Sequence, residues 1–217
     1  MRSGKPPLHP LENTLDRHKI IQRETLYVGF NRLTELTYQY RRLNGEWSEN
    51  VTREIFERRA AAAVLPYDPL NDSVVLVRQF RPGALMAGSS GWELEPVAGL
   101  CDNGELPMNT VRREAMEEAG CQIDKLEKIC SYNVSPGCVR EPVSVFCGCV
   151  DSRSVLTVGG TASEHEETEV FVMPFDEFQS DLLCGKFTYA LTIIAAQWLI
   201  LNRDRLREKW ATNHSDT

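Results

Sequence analysis

Hydrophobic and polar residues alternate along the first part of this chain with the period of β-strands. The run from Ile20 to about Glu57 is strand-like, and Leu36 to Tyr40 alternates in β-forming residues. Asn44-Gly45 is a strong hairpin signal, so the following run from Glu46 is expected to pair back. The pattern predicts an N-terminal arm and a small antiparallel β subdomain over residues 1–57.

Residues 58–217 mix strand-like and helix-like segments, and they predict one larger domain. The segment from Pro82 to Gly91 is rich in Gly and Ser and predicts a mobile loop. Strands before, around and after a helix indicate an α/β fold with helices packed on a mixed sheet. The predicted strands are 60–65, 74–81, 92–97, 128–134, 143–150 and 169–173.

The clearest helix signal lies in the middle of the chain. Asn109 to Ala119 contains good helix formers and neither Gly nor Pro. Pro107 suits the first turn, where its missing N–H has no cost, and Gly120 suits a left-handed C-terminal cap. Gly99 and Gly104, upstream, are expected to interrupt regular structure.

Two further helices are predicted near the C-terminus. Asp176 to Leu183 is the shorter, and Leu191 to Lys209 is strongly periodic. In the longer one, Ile194, Trp198 and Leu201 are predicted to form one apolar face. The apolar stretch within it is interrupted by polar residues and is too short to cross a bilayer.

Composition narrows the class of protein. Of the 217 residues, 25% are charged, and the net charge is −7. This negative charge argues against a general nucleic-acid binder. It leaves an anionic substrate open, because bound cations can invert the local electrostatic field. The start of the chain shows no secretory signal, and the cysteine count is odd, so we expect a cytoplasmic protein with reduced, mostly buried thiols. The seven cysteines are Cys101, Cys121, Cys130, Cys138, Cys147, Cys149 and Cys184.

Three glutamates on the central helix suggest metal chemistry. Glu114, Glu117 and Glu118 are spaced i, i+3, i+4 and fall on one helix face. Like charges at this spacing repel, so a cation between them would stabilise the helix, and oxygen ligands favour magnesium or manganese. Arg113 is placed to pair with Glu117 and to leave the other two carboxylates for metal. The alternative is a solvated acidic helix face.

The spacing around these glutamates resembles the Nudix box. Gly99 is followed by Glu105, then by Arg113-Glu114, Glu117-Glu118 and Gly120, at the intervals of that signature. The resemblance implies an α/β/α sandwich around a mixed sheet. It also implies a hydrolase that requires Mg²⁺, with Mn²⁺ as a substitute.

Motifs outside the box resemble the bacterial ADP-ribose pyrophosphatases within this superfamily. They include Arg53 to Arg58, Val77 to Arg81, Leu94 to Gly99 and Ser135 to Gly137. In that group the N-terminal strands exchange between the subunits of a homodimer. The resemblance therefore implies that residues 1–57 serve dimerisation, possibly by strand exchange, and that residues 58–217 form the catalytic domain.

The resemblance also implies roles for residues of the box. The backbone carbonyl of Ala98 and the carboxylates of Glu114 and Glu118 would hold the metal ions. Glu117 would orient this set or supplement it, with Arg113 in support.

Other positions are implied to contact the substrate or to move protons. Arg81 matches a substrate-contacting arginine, and Ser135 and Glu141 match positions near the terminal ribose. The general base would come from the acidic loop 159–167, where Glu164 and Glu166 are both candidates. His165 between them is a weaker alternative. Cys138 and Pro142 depart from the family pattern near the implied ribose site.

The implied reaction is the hydrolysis of ADP-ribose to AMP and ribose 5-phosphate. The nearest alternative is another nucleotide sugar, for example GDP-mannose. A hydrolase that removes damaged nucleoside triphosphates is also compatible with the box, although such enzymes usually lack the N-terminal subdomain. A non-catalytic Nudix-like ligand-binding domain is the alternative from another class, but its glutamate set would be broken, whereas this one is intact.

Overall fold

The structure is a computed structural model that describes residues 17–161 and 166–211. It divides into two compact units. The first contains the described residues up to Arg58 together with Val134–Glu141, and the second contains Arg59–Asn133 and the chain from Pro142 onward. The segment 134–141, which carries Ser135 and Glu141, is therefore grouped with the N-terminal strands. The proposed roles of residues 1–57 and 58–217 stay predictions.

Within the described residues the chain forms twelve strands and four α-helices. The strands are β1 His18–Val28, β2 Arg32–Tyr40, β3 Val51–Glu57, β4 Ala61–Asp68, β5 Ser73–Phe80, β6 Trp92–Glu95, β7 Val97–Leu100, β8 Lys125–Asn133, β9 Val139–Arg140, β10 Pro142–Cys149, β11 Val158–Gly159 and β12 Thr168–Pro174. The helices are α1 Pro82–Met86, α2 Pro107–Ala119, α3 Phe175–Leu183 and α4 Ala190–Ala211.

The first unit is a four-stranded sheet in the order β1-β2-β3-β9. Its first three strands are antiparallel, as predicted, and β9 runs parallel to β3. The hairpin signal is confirmed, since Gly45 has a φ of +88° in the turn between β2 and β3. Every residue of the eleven-residue strand β1 is exposed.

The second unit is built on a mixed sheet in the order β11-β12-β5-β4-β10-β8, with β6 beside β5 and β7 beside β4. Only β4 and β10 are parallel among its neighbouring pairs. Side chains alternate across a strand, so Ala62 and Val64 face a core with α2, whereas Ala63 and Leu65 face a core with α3 and α4. These two cores make the predicted α/β/α layers.

Two predictions between β5 and β7 need correction. The segment predicted as a mobile loop begins with the short helix α1, because Pro82 fits the first helical turn. The strand predicted from Trp92 to Val97 divides at Pro96, which has no N–H for a ladder. Before Pro96 the chain pairs with β5, and after it the chain pairs with β4.

The face predicted for the C-terminal helix is wrong. Leu201 is 84% exposed, and Ile194 and Trp198 are only partly buried. Most sides of the first three turns of α4 are apolar, so periodicity alone did not define one face. Packing against α3 and the sheet selects another set, namely Leu191, Ala195, Leu199, Leu206 and Trp210.

Two other expectations were tested by the fold. Cys147 and Cys149 share one face of β10 and lie in the same core, and all seven cysteines are free. The predicted burial holds for most of these thiols, but Cys138 and Cys184 are exposed. None of the helices among the described residues has the length and apolar content that a membrane span requires.

Candidate active site

The predicted glutamate helix is α2, and its ends follow the sequence signals. Pro107 occupies the first turn, and Gly120 has a φ of +63° at the C-terminal cap. The helix packs an apolar face on the sheet, and this face carries Glu114 and Glu118 inward with it. Glu118 is 1% exposed and Glu114 is 8% exposed. The solvated-face alternative does not describe these two carboxylates.

Strand β7 supplies the backbone that faces these glutamates. The N–H of Ala98 donates to Oε2 of Glu118 at 3.4 Å. Because the N–H and C=O of one strand residue point to the same edge, the Ala98 carbonyl faces that side too. Gly99 lies within β7 and does not interrupt it, contrary to the prediction. A Cβ at Gly99 would lie 1.9 Å from Oε1 of Glu114, so this glycine provides the space for that carboxylate.

Arg113 holds the outer part of the cluster together. Its Nη1 lies 3.0 Å from Oε2 of Glu117, as predicted, and also 2.8 Å from Oε1 of Glu114. The prediction that Glu114 would be left free is therefore wrong in this structure. Nη2 of Arg113 lies 3.3 Å from Glu105, whose pKa falls to about 2 because of this guanidinium and the N–H of Asp102.

The end of β5 brings polar side chains to the same face of the sheet. Val75 and Val77 belong to the core beneath α2, and alternation places Gln79 on their side. Directly opposite Val77 is Glu95 on β6, which shares that face and is 0% exposed. Arg81, just beyond β5, reaches Oε1 of Glu95 through its Nε at 2.6 Å.

Sequence reasoning assigned no role to Gln79 or Glu95. Both lie inside the motifs that resembled the family, within predicted strands. A polar residue on the inward face of a strand was the available signal. The register of β5 and β6, which decides which face is inward, was not readable from the sequence.

Three buried side-chain oxygens at this face lack a hydrogen-bond partner among the described residues. They are Oε1 of Gln79, Oε2 of Glu95 and Oε1 of Glu118. Burial raises the pKa of Glu118 well above its usual range, and the carboxylates of Glu166 and Glu114 raise it further. Burial also raises the pKa of Glu95 and of Glu114, more than Arg81 and Arg113 lower them.

These orphaned oxygens fit a hard divalent cation, because buried carboxylates are stable only when paired or metal-bound. Within the described residues no three His, Cys, Asp or Glu side chains are grouped as ligands of one ion. The predicted set does not require that, since it uses two carboxylates and the main-chain carbonyl of Ala98. Glu114 and Glu118 are the side chains that could hold the ion.

The C-terminal end of α2 binds both flanks of the acidic loop. The carbonyl of Glu117 accepts from the N–H of Gly160 at 2.9 Å, and the carbonyl of Glu118 accepts from Oγ1 of Thr168 at 2.7 Å. Helix-end carbonyls have no partner within the helix, so these contacts satisfy them. Glu166 lies between these flanks, whereas Glu164 and His165 lie outside the described residues.

The two residues predicted near the ribose belong to the first unit. Ser135 is exposed, and its carbonyl accepts from the N–H groups of Cys138 and Val139. Glu141 is 6% exposed and pairs with Arg58 at 2.7 Å. The structure thus shows the buried carboxylate of Glu141 paired with a partly exposed arginine, and the substrate role of both Ser135 and Glu141 stays a prediction.

Comparison with known proteins places this geometry in a family. The NUDIX domain model matches residues 57–189, which include the whole cluster on β5, β6, β7 and α2. The chain belongs to the NUDIX family. It is a NUDIX hydrolase, and the buried glutamates of α2 lie in the segment from Gly99 to Cys121 that resembles the Nudix box.

Among curated NUDIX relatives, the chain is 39% identical to the ADP-ribose pyrophosphatase of Escherichia coli strain K12 over 207 residues, covering 95% of this chain and 99% of the relative. It is 36% identical to the GDP-mannose pyrophosphatase of Cronobacter sakazakii, covering 84% of this chain and 95% of that protein. A solved ADP compounds hydrolase shares the fold with a TM-score of 0.67 and 19% identity, over 91% of this chain and 98% of that one.

Proposed function

We propose that this protein hydrolyses the pyrophosphate bond of ADP-ribose and releases AMP and ribose 5-phosphate, with Mg²⁺ as the cofactor and Mn²⁺ as a substitute. The observation that carries the chemistry is the pair of buried carboxylates on α2, with an unpartnered oxygen on Glu118. The substrate follows from the 39% identity to an ADP-ribose pyrophosphatase along almost its whole length.

Each residue of the cluster has a proposed task. Glu114, Glu118 and the carbonyl of Ala98 would hold the divalent cations, which supply positive charge to the pyrophosphate and lower the pKa of water. Arg113 orients Glu114 and Glu117 through its two short ion pairs.

Arg81 is proposed to contact the substrate. Its Nε donates to Oε1 of Glu95. Its two terminal nitrogens make no hydrogen bond within the described part of the chain, so they are available to bind a phosphate. Ser135 and Glu141 remain the candidates for the terminal ribose. The proton acceptor is Glu164 or Glu166, and the described residues favour neither by themselves.

The deciding experiment is AMP release from ADP-ribose by the purified protein with Mg²⁺, in parallel with GMP release from GDP-mannose. A kcat/KM at least tenfold higher for ADP-ribose supports the proposal. Preference for GDP-mannose would keep the metal site and refute the substrate, which is the alternative that the 36% identical GDP-mannose pyrophosphatase supports. Turnover of neither compound would direct the search to other nucleotides.

Gly99→Ala tests the space beside Glu114 without changing any glutamate. The added methyl group would overlap the Glu114 carboxylate, so we expect this side chain to rotate away and kcat to fall roughly tenfold or more. The free energy of unfolding should change little, since only the Glu114 side chain must move. Gly83→Ala is the matched control, because a Cβ there meets nothing within 4 Å and helix α1 has no buried residue. Equal activity of the two variants would contradict the proposed role of Glu114.

We also propose that the protein is a homodimer that forms through the first unit. Strand β1 exposes several large apolar side chains, which supports a partner surface there. The most exposed in the strand are Ile20, Tyr27 and Val28, and Phe30 just beyond it is also exposed. Light scattering should give twice the chain mass, and Ile20→Glu should shift the protein toward the monomer. A monomeric wild-type protein would refute the dimer. The cytoplasmic location stays a prediction.

A further inference from the structure

Gln79 occupies an unusual place at the end of β5. Its side chain is 6% exposed and lies on the α2 side of the sheet, where the preceding inward residues are valines. Its amide nitrogen donates to Oε1 of Glu166, and its amide oxygen has no partner among the described residues. A buried amide costs free energy unless its groups are used, so a packing role alone does not explain a glutamine here.

Glu166 is held in position only partly by its own segment. Its N–H donates to the carbonyl of Thr161 at 3.3 Å, and the flanks at Gly160 and Thr168 are bonded to the end of α2. These contacts restrain the backbone, but within the described residues Glu166 itself contributes only one backbone hydrogen bond, so a side-chain contact can still slow its opening. The backbone contacts leave the direction of the carboxylate open, because a glutamate side chain has three rotatable bonds.

Gln79 provides a hydrogen bond that can orient the Glu166 carboxylate. Within residues 17–161 and 166–211, it donates the one side-chain hydrogen bond that Glu166 accepts. This contact lies beside α2, because Gln79 is on the α2 side of the sheet and the flanks of Glu166 bond the carbonyls of Glu117 and Glu118. An amide donor suits this task, since a cationic donor would neutralise the carboxylate and an apolar side chain would not orient it.

We propose that Gln79 is a positioning residue that aims the Glu166 carboxylate at the metal-binding glutamates of α2. The inference rests on the proposed hydrolase function of this site. It assigns to Gln79 no contact with the substrate. Its effect must therefore pass entirely through Glu166.

The first test is a double-mutant cycle of Gln79→Met and Glu166→Ala. Methionine keeps the length of the side chain and removes the donor. We expect Gln79→Met to lower kcat about 10- to 100-fold, the scale of a lost hydrogen bond to a charged group, with KM changed less than about threefold. In the Glu166→Ala background the same substitution should change kcat less than about threefold. Losses that multiply would overturn the proposal.

The matched control is Arg78→Met, on the adjacent position of β5. The exposed side chain of Arg78 lies on the opposite face of β5 from Gln79 and pairs with Glu169 on β12, so its removal takes away a contact between β5 and β12 without touching Glu166. We expect its kcat to stay within about twofold of wild type. Gln79→Glu should be slower than Gln79→Met, because a second carboxylate would repel Glu166. A loss in Arg78→Met equal to that in Gln79→Met would overturn the proposal.

A second readout needs no activity. In metal-free protein, exchange of the Glu166 and Glu167 amide hydrogens should be at least about fivefold faster in Gln79→Met than in wild type and unchanged in Arg78→Met. Unchanged exchange in Gln79→Met would overturn the inference. If wild-type protein prefers GDP-mannose, the substrate proposal fails, and the cycle is read on that substrate. If no nucleotide sugar is turned over, amide exchange alone decides.

Discussion

Replacing Glu118 by glutamine is expected to lower kcat for ADP-ribose at least about 100-fold, with a smaller change in KM. Glu118 is the most deeply buried carboxylate of α2, and one of its oxygens has no partner in the described structure. Glutamine keeps the shape and one oxygen but removes the negative charge that would hold the cation. A loss of this scale is typical when a positioned charge is removed from an active site. Steady-state kinetics over a range of Mg²⁺ concentrations measures it.

The control for this variant is Glu177→Gln, an exposed glutamate in the first turn of α3, which should stay within about twofold of wild type. Thermal unfolding adds a test that does not depend on turnover. In the presence of chelator, Glu118→Gln should melt at a higher temperature than wild type, because the amide avoids the cost of a buried charge. Near-normal turnover of Glu118→Gln would remove Glu118 from the mechanism.

Removing divalent metal is expected to reduce hydrolysis by about 1000-fold or more. A bound cation supplies several kcal/mol of charge stabilisation, and each 1.36 kcal/mol corresponds to a factor of ten in rate. Treatment with chelator followed by desalting should abolish turnover, and addition of Mg²⁺ or Mn²⁺ should restore it. The same titration should raise the melting temperature of wild-type protein, since a ligand that binds only the folded state stabilises it.

Two controls make the metal experiment decisive. Chelator already saturated with Mg²⁺ should leave turnover unchanged, which excludes a direct effect of the chelator. The metal-dependent rise in melting temperature should shrink in Glu118→Gln, because one of the proposed ligands loses its charge. Full turnover by protein shown to be metal-free by elemental analysis would refute the divalent cofactor.

Helix α2 shows which features of the site could be predicted from the sequence. Its start and its cap follow from local rules of helix formation, and the structure agrees with them. Spacing placed Glu114 and Glu118 on one helix face, and the structure adds that both point inward. The pairing of Arg113 with Glu114 was missed, because the sequence offered Glu117 at the favoured i+4 distance and the short contact to the adjacent residue depends on side-chain rotamers.

At two other places the local sequence pattern was ambiguous, and tertiary packing determined the structure. The C-terminal helix is apolar around most of its first turns, so the buried face was chosen by α3 and the sheet and not by periodicity. The role of Gly99 was also hidden, since a glycine in a sequence reads as an interruption, whereas here it lies in a strand whose missing side chain accommodates Glu114.

By itself, the sequence determined the mixed α/β fold, the central helix and the glutamates that it presents, because these depend on residue spacing along one element. Tertiary structure alone decided that Gln79, Arg81 and Glu95 reach the same face as Glu118. Their grouping depends on which strands become neighbours and in which register, and β6 and β5 find that register only when the sheet is assembled. A contact between distant residues is set by the packing of whole elements, which no local pattern encodes.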